Sequence, residues 1–136
     1  MKKLLILFCA ISAVTVFAAP VVLKECGKGA ANVEIVANFP KADTTGSYAA
    51  TELQKYLQKL TGLKIKLNKV PGKSAHKIFL CLPDSKYFAP VKTQFKADLQ
   101  ALKKTDGYAV RQSGNDLYII GDCPKALLNG VYRFLM

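Results

Sequence analysis

The sequence has few of the residues with which enzymes bind metals or activate nucleophiles. It contains no tryptophan, and His76 is its only histidine. No two of its four cysteines stand close enough in sequence to form a zinc-binding pair, and there is no glycine-rich phosphate loop, G-x-S-x-G turn or H-E-x-x-H helix. A Ser-His-Asp arrangement would depend wholly on His76. We therefore expect no catalytic residue, no metal ligand and no cofactor-binding residue in this chain.

Acidic residues are also scarce, at nine in the whole chain. Two carboxylates can do general acid and base chemistry when a cleft holds them roughly 5 to 10 Å apart, but no pair stands out here. Glu34 is predicted to point outward from a strand, and Glu52 to lie on the polar side of a helix. Asp106, Asp116 and Asp122 occupy turn or cap positions, which aspartate favours for backbone reasons. We interpret all five as structural.

The chain is strongly basic, with a formal net charge of +11. A nucleic-acid site would concentrate this charge on one face and use arginine for bidentate contacts. Here the lysines are spread over predicted helices, strands and loops, and Arg111 and Arg133 are the only arginines. The pattern predicts a solvated basic surface and no nucleic-acid partner.

The N-terminus has the pattern of a secretory signal peptide. Lys2 and Lys3 precede an apolar run over residues 4–17, and small residues favour cleavage after Ala18. An uncleaved membrane anchor is the weaker alternative, because the run is shorter than a span of about 20 residues. We therefore predict a signal peptide over residues 1–18, a secreted or periplasmic location, and no membrane attachment after cleavage.

Three cysteines remain after this cleavage, so at most one internal disulfide can form. Cys81 lies inside an apolar strand and is predicted to be a small buried hydrophobic residue. A bridge between Cys26 and Cys123 stays open, since no spacing rule supports or excludes it.

Residues 19–31 read as a lead-in segment, after which the periodicity of apolar residues predicts a strand over residues 33–38. The stretch "TTGSYAATELQKYLQKLTG" has apolar residues every three or four positions and predicts an amphipathic helix. Thr44 or Thr45 can cap its start, and Gly62 suits the left-handed position after its end. The alternating "LKIKLNK" predicts an edge strand, and the uninterrupted "KIFLCL" predicts a strand buried on both faces.

The second half of the chain continues the pattern. Helical spacing over residues 90–104 predicts a second helix, and "DGYAVRQ" and "LYIIG" predict a hairpin. Asp122 can cap a last helix, which has Pro124 in its first turn and an apolar stripe of Leu127, Leu128, Val131 and Leu135. The order β-α-β-β-α-β-β-α predicts an α+β fold, an α/β sandwich with one mixed sheet of about five strands and about three helices.

Two stretches carry a resemblance to known proteins: "AATELQKYLQKLTG", and "DGYAVRQSGNDLYIIGDCPKALLNGVYRFL". Together with the strands between them, they resemble the small α/β domain that precedes the catalytic barrel in secreted glycoside hydrolases. The most similar are the α-glucuronidase N-terminal domain and the second domain of glycoside hydrolase family 20 β-hexosaminidases. The resemblance assigns residues 32–136 to one such domain.

The resemblance implies that this domain is non-catalytic, because the acid, base and nucleophile carboxylates of these enzymes belong to a (β/α)₈ barrel that is absent from the chain. The barrel is the partner that the resemblance implies. It also implies structural roles for six residues: Leu53, Leu57 and Leu60 on the helix face against the sheet, Gly62 at the turn, Gly121 at the strand end, and Gly130 at a close approach in the last helix.

The first functional hypothesis is therefore a non-catalytic N-terminal accessory domain of a secreted, α-glucuronidase-like glycoside hydrolase that degrades polysaccharide such as xylan, in a truncated or fragmentary chain. The alternative is a free-standing secreted module whose lysines and tyrosines bind acidic glycans. A hydrolase with its own active site is disfavoured, because no nucleophile or acid and base pair is evident.

Overall fold

The computed structural model describes residues 4–6, 21–24 and 32–136 of the 136-residue chain. Strands β1 (Leu4–Ile6) and β2 (Val21–Lys24) form an antiparallel pair. Most of the predicted signal peptide and lead-in segment, together with the cleavage position and Cys26, lies outside the described residues. Both segments stay predictions.

A mixed five-stranded sheet, in the order β4-β3-β5-β7-β6, forms the centre of the domain. Its strands are β3 (Val33–Val36), β4 (Lys66–Asn68), β5 (His76–Cys81), β6 (Tyr108–Ser113) and β7 (Asp116–Gly121). Strands β4, β3, β5 and β7 run parallel, and β6 pairs antiparallel with β7 as the predicted hairpin. The predicted α+β fold is confirmed, with the apolar strand β5 in the middle and β4 at an edge.

Helices cover both faces of this sheet. On one face lie α1 (Thr44–Thr61) and α3 (Pro124–Leu135), which contact each other. On the other face lie a 3₁₀ helix (Lys86–Val91) and the short helix α2 (Lys96–Leu102). Because strand side chains alternate between the faces, β3, β5 and β7 each contribute to two separate cores.

The two cores differ in composition. Under α1 and α3 the buried side chains are aliphatic: Val33, Ile35, Ala37, Ala49, Ala50, Leu53, Leu57, Ile65, Ile78, Leu80, Leu117, Ile119, Leu127 and Val131. We call this the aliphatic core. Under the 3₁₀ helix and α2 they are mostly aromatic: Val36, Phe79, Cys81, Phe88, Phe95, Tyr118 and Ile120. We call this the aromatic core.

The ends of α1 show one wrong and one correct prediction. Asp43, rather than Thr44 or Thr45, caps the start, because its Oδ1 accepts a hydrogen bond of 2.7 Å from the backbone N–H of Gly46. Gly62 ends the helix in the left-handed region at φ 69°, and its N–H donates to the carbonyl of Gln58. Glycine adopts this conformation without the steric cost that a side chain would add.

The start of α3 also differs from the prediction. Cys123 occupies the N-cap position without a side-chain cap, and Pro124 stands in the first turn as expected. Asp122 does not cap the helix, because its Oδ2 accepts a hydrogen bond of 3.0 Å from the backbone N–H of Lys104. The carboxylate thereby connects the end of β7 to the turn after α2.

The predicted continuous helix over residues 90–104 is wrong. Pro90 lies inside the 3₁₀ helix, residues 92–95 form turns, and α2 begins only at Lys96. The irregular path allows both Phe88 and Phe95 to reach the sheet, where their rings stack with centroids 6.2 Å apart and both contact Tyr118. Tertiary packing of these aromatic rings thus overrides the helical periodicity.

Candidate functional site

Glu34 is buried in the sheet, which contradicts the prediction that it points to solvent. Its side chain is on the same face as Val36, as strand alternation requires, but only 1% of the residue is exposed. Asn68 Nδ2 donates to its Oε2 at 2.8 Å, and the Gly72 N–H donates to its Oε1 at 2.6 Å. The carboxylate thus anchors the loop after β4, and the sequence offered no local signal of partners so distant along the chain.

Glu52 is also buried, at 6% exposure, although it was predicted on the polar side of α1. The hydroxyl of Tyr132 donates to its Oε2 at 3.2 Å, and Lys55 Nζ lies 3.5 Å from its Oε1. Hydrogen bonding to Tyr48, partial desolvation and the bond to Glu52 together raise the pKa of Tyr132 above its ordinary value. Glu52 therefore joins α1 to α3. Since Glu34 and Glu52 both have protein partners, they are not a free acid and base pair.

An exposed apolar surface surrounds this contact between α1 and α3. Four side chains, which we call the α1–α3 ridge, are exposed there: Tyr48 (50%), Tyr56 (36%), Leu60 (60%) and Tyr132 (37%). The ammonium groups of Lys55 and Lys59 lie 5.2 and 5.3 Å from the centre of the Tyr56 ring. The ridge is therefore a set of aromatic and aliphatic side chains with lysines beside it.

Leu60 belongs to this ridge, so the prediction that it packs against the sheet is wrong. Leu60 lies two turns after Leu53 and points in nearly the same direction from the axis of α1. Helices α1 and α3, however, differ in length. Helix α1 has 18 residues and α3 has 12, so α1 is longer by about 9 Å. Because Tyr132 in the last turn of α3 meets Glu52 in the middle of α1, no described part of α3 covers the end of α1 where Leu60 lies.

Leu53, Leu57, Gly121 and Gly130, which also have predicted structural roles, lie in the interior. Leu53 and Leu57 are buried in the aliphatic core. A Cβ atom on Gly121 would lie 2.7 Å from the Cα of Leu127, which is too close for any other residue. A Cβ on Gly130 would lie 3.1 Å from both Ile119 Cγ2 and Tyr108 Cβ. These glycines allow α3 to pack closely on β6 and β7.

Cysteine and histidine form no reactive group in the part of the chain that the structure describes. Cys81 is 1% exposed, and burial raises the pKa of its thiol to about 12, so it is protonated at neutral pH. Cys123 is a free thiol with its Sγ 3.5 Å from Asp106 Oδ1, and His76 Nδ1 lies 2.7 Å from the carbonyl of Asn115. The described residues contain no group of three or more histidine, cysteine or acidic side chains that could hold a metal ion.

An open cleft of about 700 Å³ lies between the loop that follows β3 and the loop that follows β5. Its lining consists of Asn38, Phe39, Pro40, Ala42, Asp43, Leu82, Asp84, Ser85, Lys86 and Pro124. The cleft is at the carboxyl end of the parallel strands β3 and β5. No sequence motif pointed to it, because it depends on which strands become neighbours.

Among the described residues, no helix combines the length and the apolar character that crossing a membrane requires. No curated protein matches the chain. A family model described as glycosyl hydrolase family 67 N-terminus matches residues 23–134, which are most of the chain. This match confirms the resemblance to the α-glucuronidase N-terminal domain, and the matched range includes every strand and helix from β3 to β7 and α1 to α3 except the last residue of α3. The chain therefore belongs to the family of glycosyl hydrolase family 67 N-terminal domains.

Proposed function

We propose that this protein is the non-catalytic accessory domain of an exported, α-glucuronidase-like enzyme that degrades polysaccharide such as xylan. A family 67 N-terminal domain implies a separate catalytic domain. The matched residues 23–134 correspond to the N-terminal domain of that family. Glu34 and Glu52, both interpreted as structural from the sequence, are buried and bound by protein groups.

The α1–α3 ridge is the observation that carries this proposal. Tyrosine is enriched at the centres of protein interfaces, because its ring buries a large apolar area while its hydroxyl forms a hydrogen bond. Tyr132 already has that bond, to Glu52 on α1. Leu60 adds an aliphatic side chain with 60% exposure at the end of α1 that α3 leaves uncovered.

In this arrangement the ridge packs against the catalytic barrel domain of the enzyme. Tyr48, Tyr56, Leu60 and Tyr132 supply the apolar centre of the interface, and Lys55 and Lys59 supply a charged rim that meets acidic groups or water. The accessory domain then contributes stability and position to the barrel, while substrate chemistry stays in the barrel. The predicted signal peptide exports the chain.

The lack of catalysis is tested by assaying the purified chain on aryl glucuronides and on glucuronoxylan. We expect no turnover above the rate of a buffer control. Turnover that remains constant per milligram through successive chromatographic steps would contradict the proposal.

Docking is tested by calorimetric titration of the chain into a family 67 catalytic domain produced without its own N-terminal domain. We expect one-to-one binding that Leu60→Asp weakens at least tenfold, because the substitution places a charge in the ridge. Val70→Asp is the matched control, since Val70 is similarly exposed, at 63%, but follows β4 at the opposite end of α1. It should change the affinity less than twofold. Absence of binding, or equal losses in the two variants, would contradict docking through the ridge.

A further inference from the structure

The cleft between the β3 and β5 loops lies where the chain changes from one face of the sheet to the other. After β3 the chain enters α1 on one face, and after β5 it enters the 3₁₀ helix and α2 on the opposite face. Strands β3 and β5 are parallel neighbours, so their two loops leave in opposite directions and open a crevice between them. In open α/β sheets, ligands bind in such crevices at the carboxyl ends of the strands.

Hydrogen bonds hold both walls of the cleft in place. In the β3 loop, Asp43 caps α1 through the Gly46 N–H, and its own N–H donates to the carbonyl of Pro40 at 2.9 Å. In the β5 loop, the Leu82 N–H donates to Ser85 Oγ at 2.8 Å, and the Ser85 N–H donates back to the Leu82 carbonyl at 3.0 Å. A ligand would therefore meet preformed walls, and little ordering would be needed on binding.

Several polar groups of the cleft are available to a ligand. The side chains of Asn38 and Asp84 are exposed and have no hydrogen-bond partner among the described residues, and the Lys86 side chain has only the Tyr87 ring, 5.5 Å from its Nζ. Asp43 is not among these groups, because its Oδ1 caps α1 and its Oδ2 is buried beside Gly46. Asn38 and Lys86 can donate hydrogen bonds, and Asn38 and Asp84 can accept them.

The remaining lining and the charge narrow the class of ligand. Phe39, Leu82 and Pro124 give the cleft an apolar wall, which suits the C–H face of a ring. The lining contains two carboxylates, Asp43 and Asp84, and one ammonium group, Lys86, so it attracts an anion less than a lysine-rich surface would. The volume of about 700 Å³ falls in the range of ligand pockets.

We infer that this cleft is a binding site for a neutral sugar ring, whose hydroxyl groups pair with Asn38, Asp84 and Lys86 and whose apolar face lies on Phe39. The site is separate from the α1–α3 ridge and does not depend on docking to a catalytic domain. It differs from the acidic-glycan alternative, because Lys86 is the one lysine among the described residues that line the cleft.

The inference is tested by a ¹H–¹⁵N NMR titration of the full chain with xylotriose as the neutral probe and glucuronic acid as the anionic probe, at pH 7. We expect xylotriose to shift the amide resonances of the non-proline residues in 38–43 and 82–86 with a saturable, millimolar affinity. Glucuronic acid should bind at least fivefold more weakly. Shifts that are absent at 20 mM xylotriose, or that lie mainly elsewhere in the chain, would overturn the inference.

Two variants identify the groups involved, with a matched control for each. Asn38→Ala should weaken xylotriose binding at least threefold, whereas Asn129→Ala, on an exposed position of α3, should not. Asp84→Asn should reduce the preference for the neutral over the anionic probe at least twofold, whereas Asp106→Asn, the same charge change outside the cleft lining, should leave it unchanged. Equal effects of a variant and its control would overturn the assignment. These binding results do not depend on whether the α1–α3 ridge docks to a catalytic domain. The sugar-binding and docking proposals can therefore be contradicted independently.

Discussion

The two faces of the sheet are built in different ways. The aliphatic core lies under two regular helices, α1 and α3, and its side chains are leucine, isoleucine, valine and alanine. The aromatic core lies under a 3₁₀ helix, turns and the short helix α2, and four of its seven side chains are Phe79, Phe88, Phe95 and Tyr118. The regular helices α1 and α3 thus cover aliphatic side chains, and the less regular segment with the 3₁₀ helix and α2 covers mostly aromatic rings.

This difference reflects how much each side chain contributes to holding its segment in place. Along α1, buried side chains at regular spacing share the packing energy, so the helix continues over 18 residues. In the segment after β5, Phe88 and Phe95 are the buried hydrophobic side chains, and the backbone between them adopts the turns that bring both rings to the sheet. An additional ion pair ties this layer down, because Arg111 on β6 binds Asp98 on α2 through two hydrogen bonds of 2.7 and 3.0 Å.

The strongest test of this comparison is Phe88→Ala. Phe88 is fully buried, and its loss removes a ring that contacts both Phe95 and Tyr118. We expect the free energy of unfolding to fall by about 3 to 5 kcal/mol. The matched variant on the other face is Leu53→Ala, also fully buried, for which about 2 to 5 kcal/mol is expected.

Urea unfolding followed by circular dichroism measures both values. Hydrogen exchange then separates the two faces. Phe88→Ala should accelerate exchange in α2 selectively, since few other buried groups hold that helix, whereas Leu53→Ala should weaken α1 and α3 together. Uniform acceleration in both variants would contradict the idea that the two layers are held differently.

A smaller effect concerns pH, because ionisable groups lie inside the aromatic core. Burial raises the pKa of Cys81 to about 12 from its ordinary 9.0. Burial, followed by the charge of Asp116, raises that of Tyr118 to about 12 from 10.0. The folded state keeps these protons when the unfolded chain has lost them, so their contribution is fully present below pH 9 and is lost as pH rises toward 12.

Replacing Cys81 by alanine should therefore flatten the decline of stability with pH. Between pH 9 and 11 we expect the unfolding free energy of Cys81→Ala to decline less steeply than that of the unmodified chain, by up to about 1.4 kcal/mol per pH unit. Urea unfolding at a series of pH values measures the slope. Ile120→Val, at the position paired with Cys81, serves as a control that should shift the curve without changing its slope. Parallel curves for all three proteins would show that the thiol does not contribute.

Local features of the sequence predicted the aliphatic side of the molecule well. The apolar spacing of α1, the glycine after it and the uninterrupted apolar run of β5 each depend on residues close in the chain. The cap of α1 was missed by one residue because Asp43 and Thr44 are both good capping residues and stand side by side. The α2 region was missed because the packing of Phe88 and Phe95 on Tyr118 decides its backbone.

The features that matter for the candidate sites depend on distant residues. The buried Glu34 accepts hydrogen bonds from Gly72 and Asn68. The buried Glu52 accepts one from Tyr132, which is 80 positions later in the chain. The cleft exists because β3 and β5 become neighbours although α1 and β4 separate them in sequence. Periodicity describes one element at a time and contains no information on these pairings.

The smallest expected effect on the free energy of unfolding is that of Leu60→Ala. Leu60 is an exposed position of α1, and the buried Leu57 on the same helix is its comparison. Because Leu60 is 60% exposed and lies beyond the end of α3, Leu60→Ala should change the unfolding free energy of the isolated chain by no more than about 0.5 kcal/mol. Leu57→Ala, three residues earlier and 1% exposed, should cost about 2 to 5 kcal/mol. Urea unfolding of both variants measures the difference. A cost above about 2 kcal/mol for Leu60→Ala would place this side chain in the core of the isolated domain and would remove it from the α1–α3 ridge.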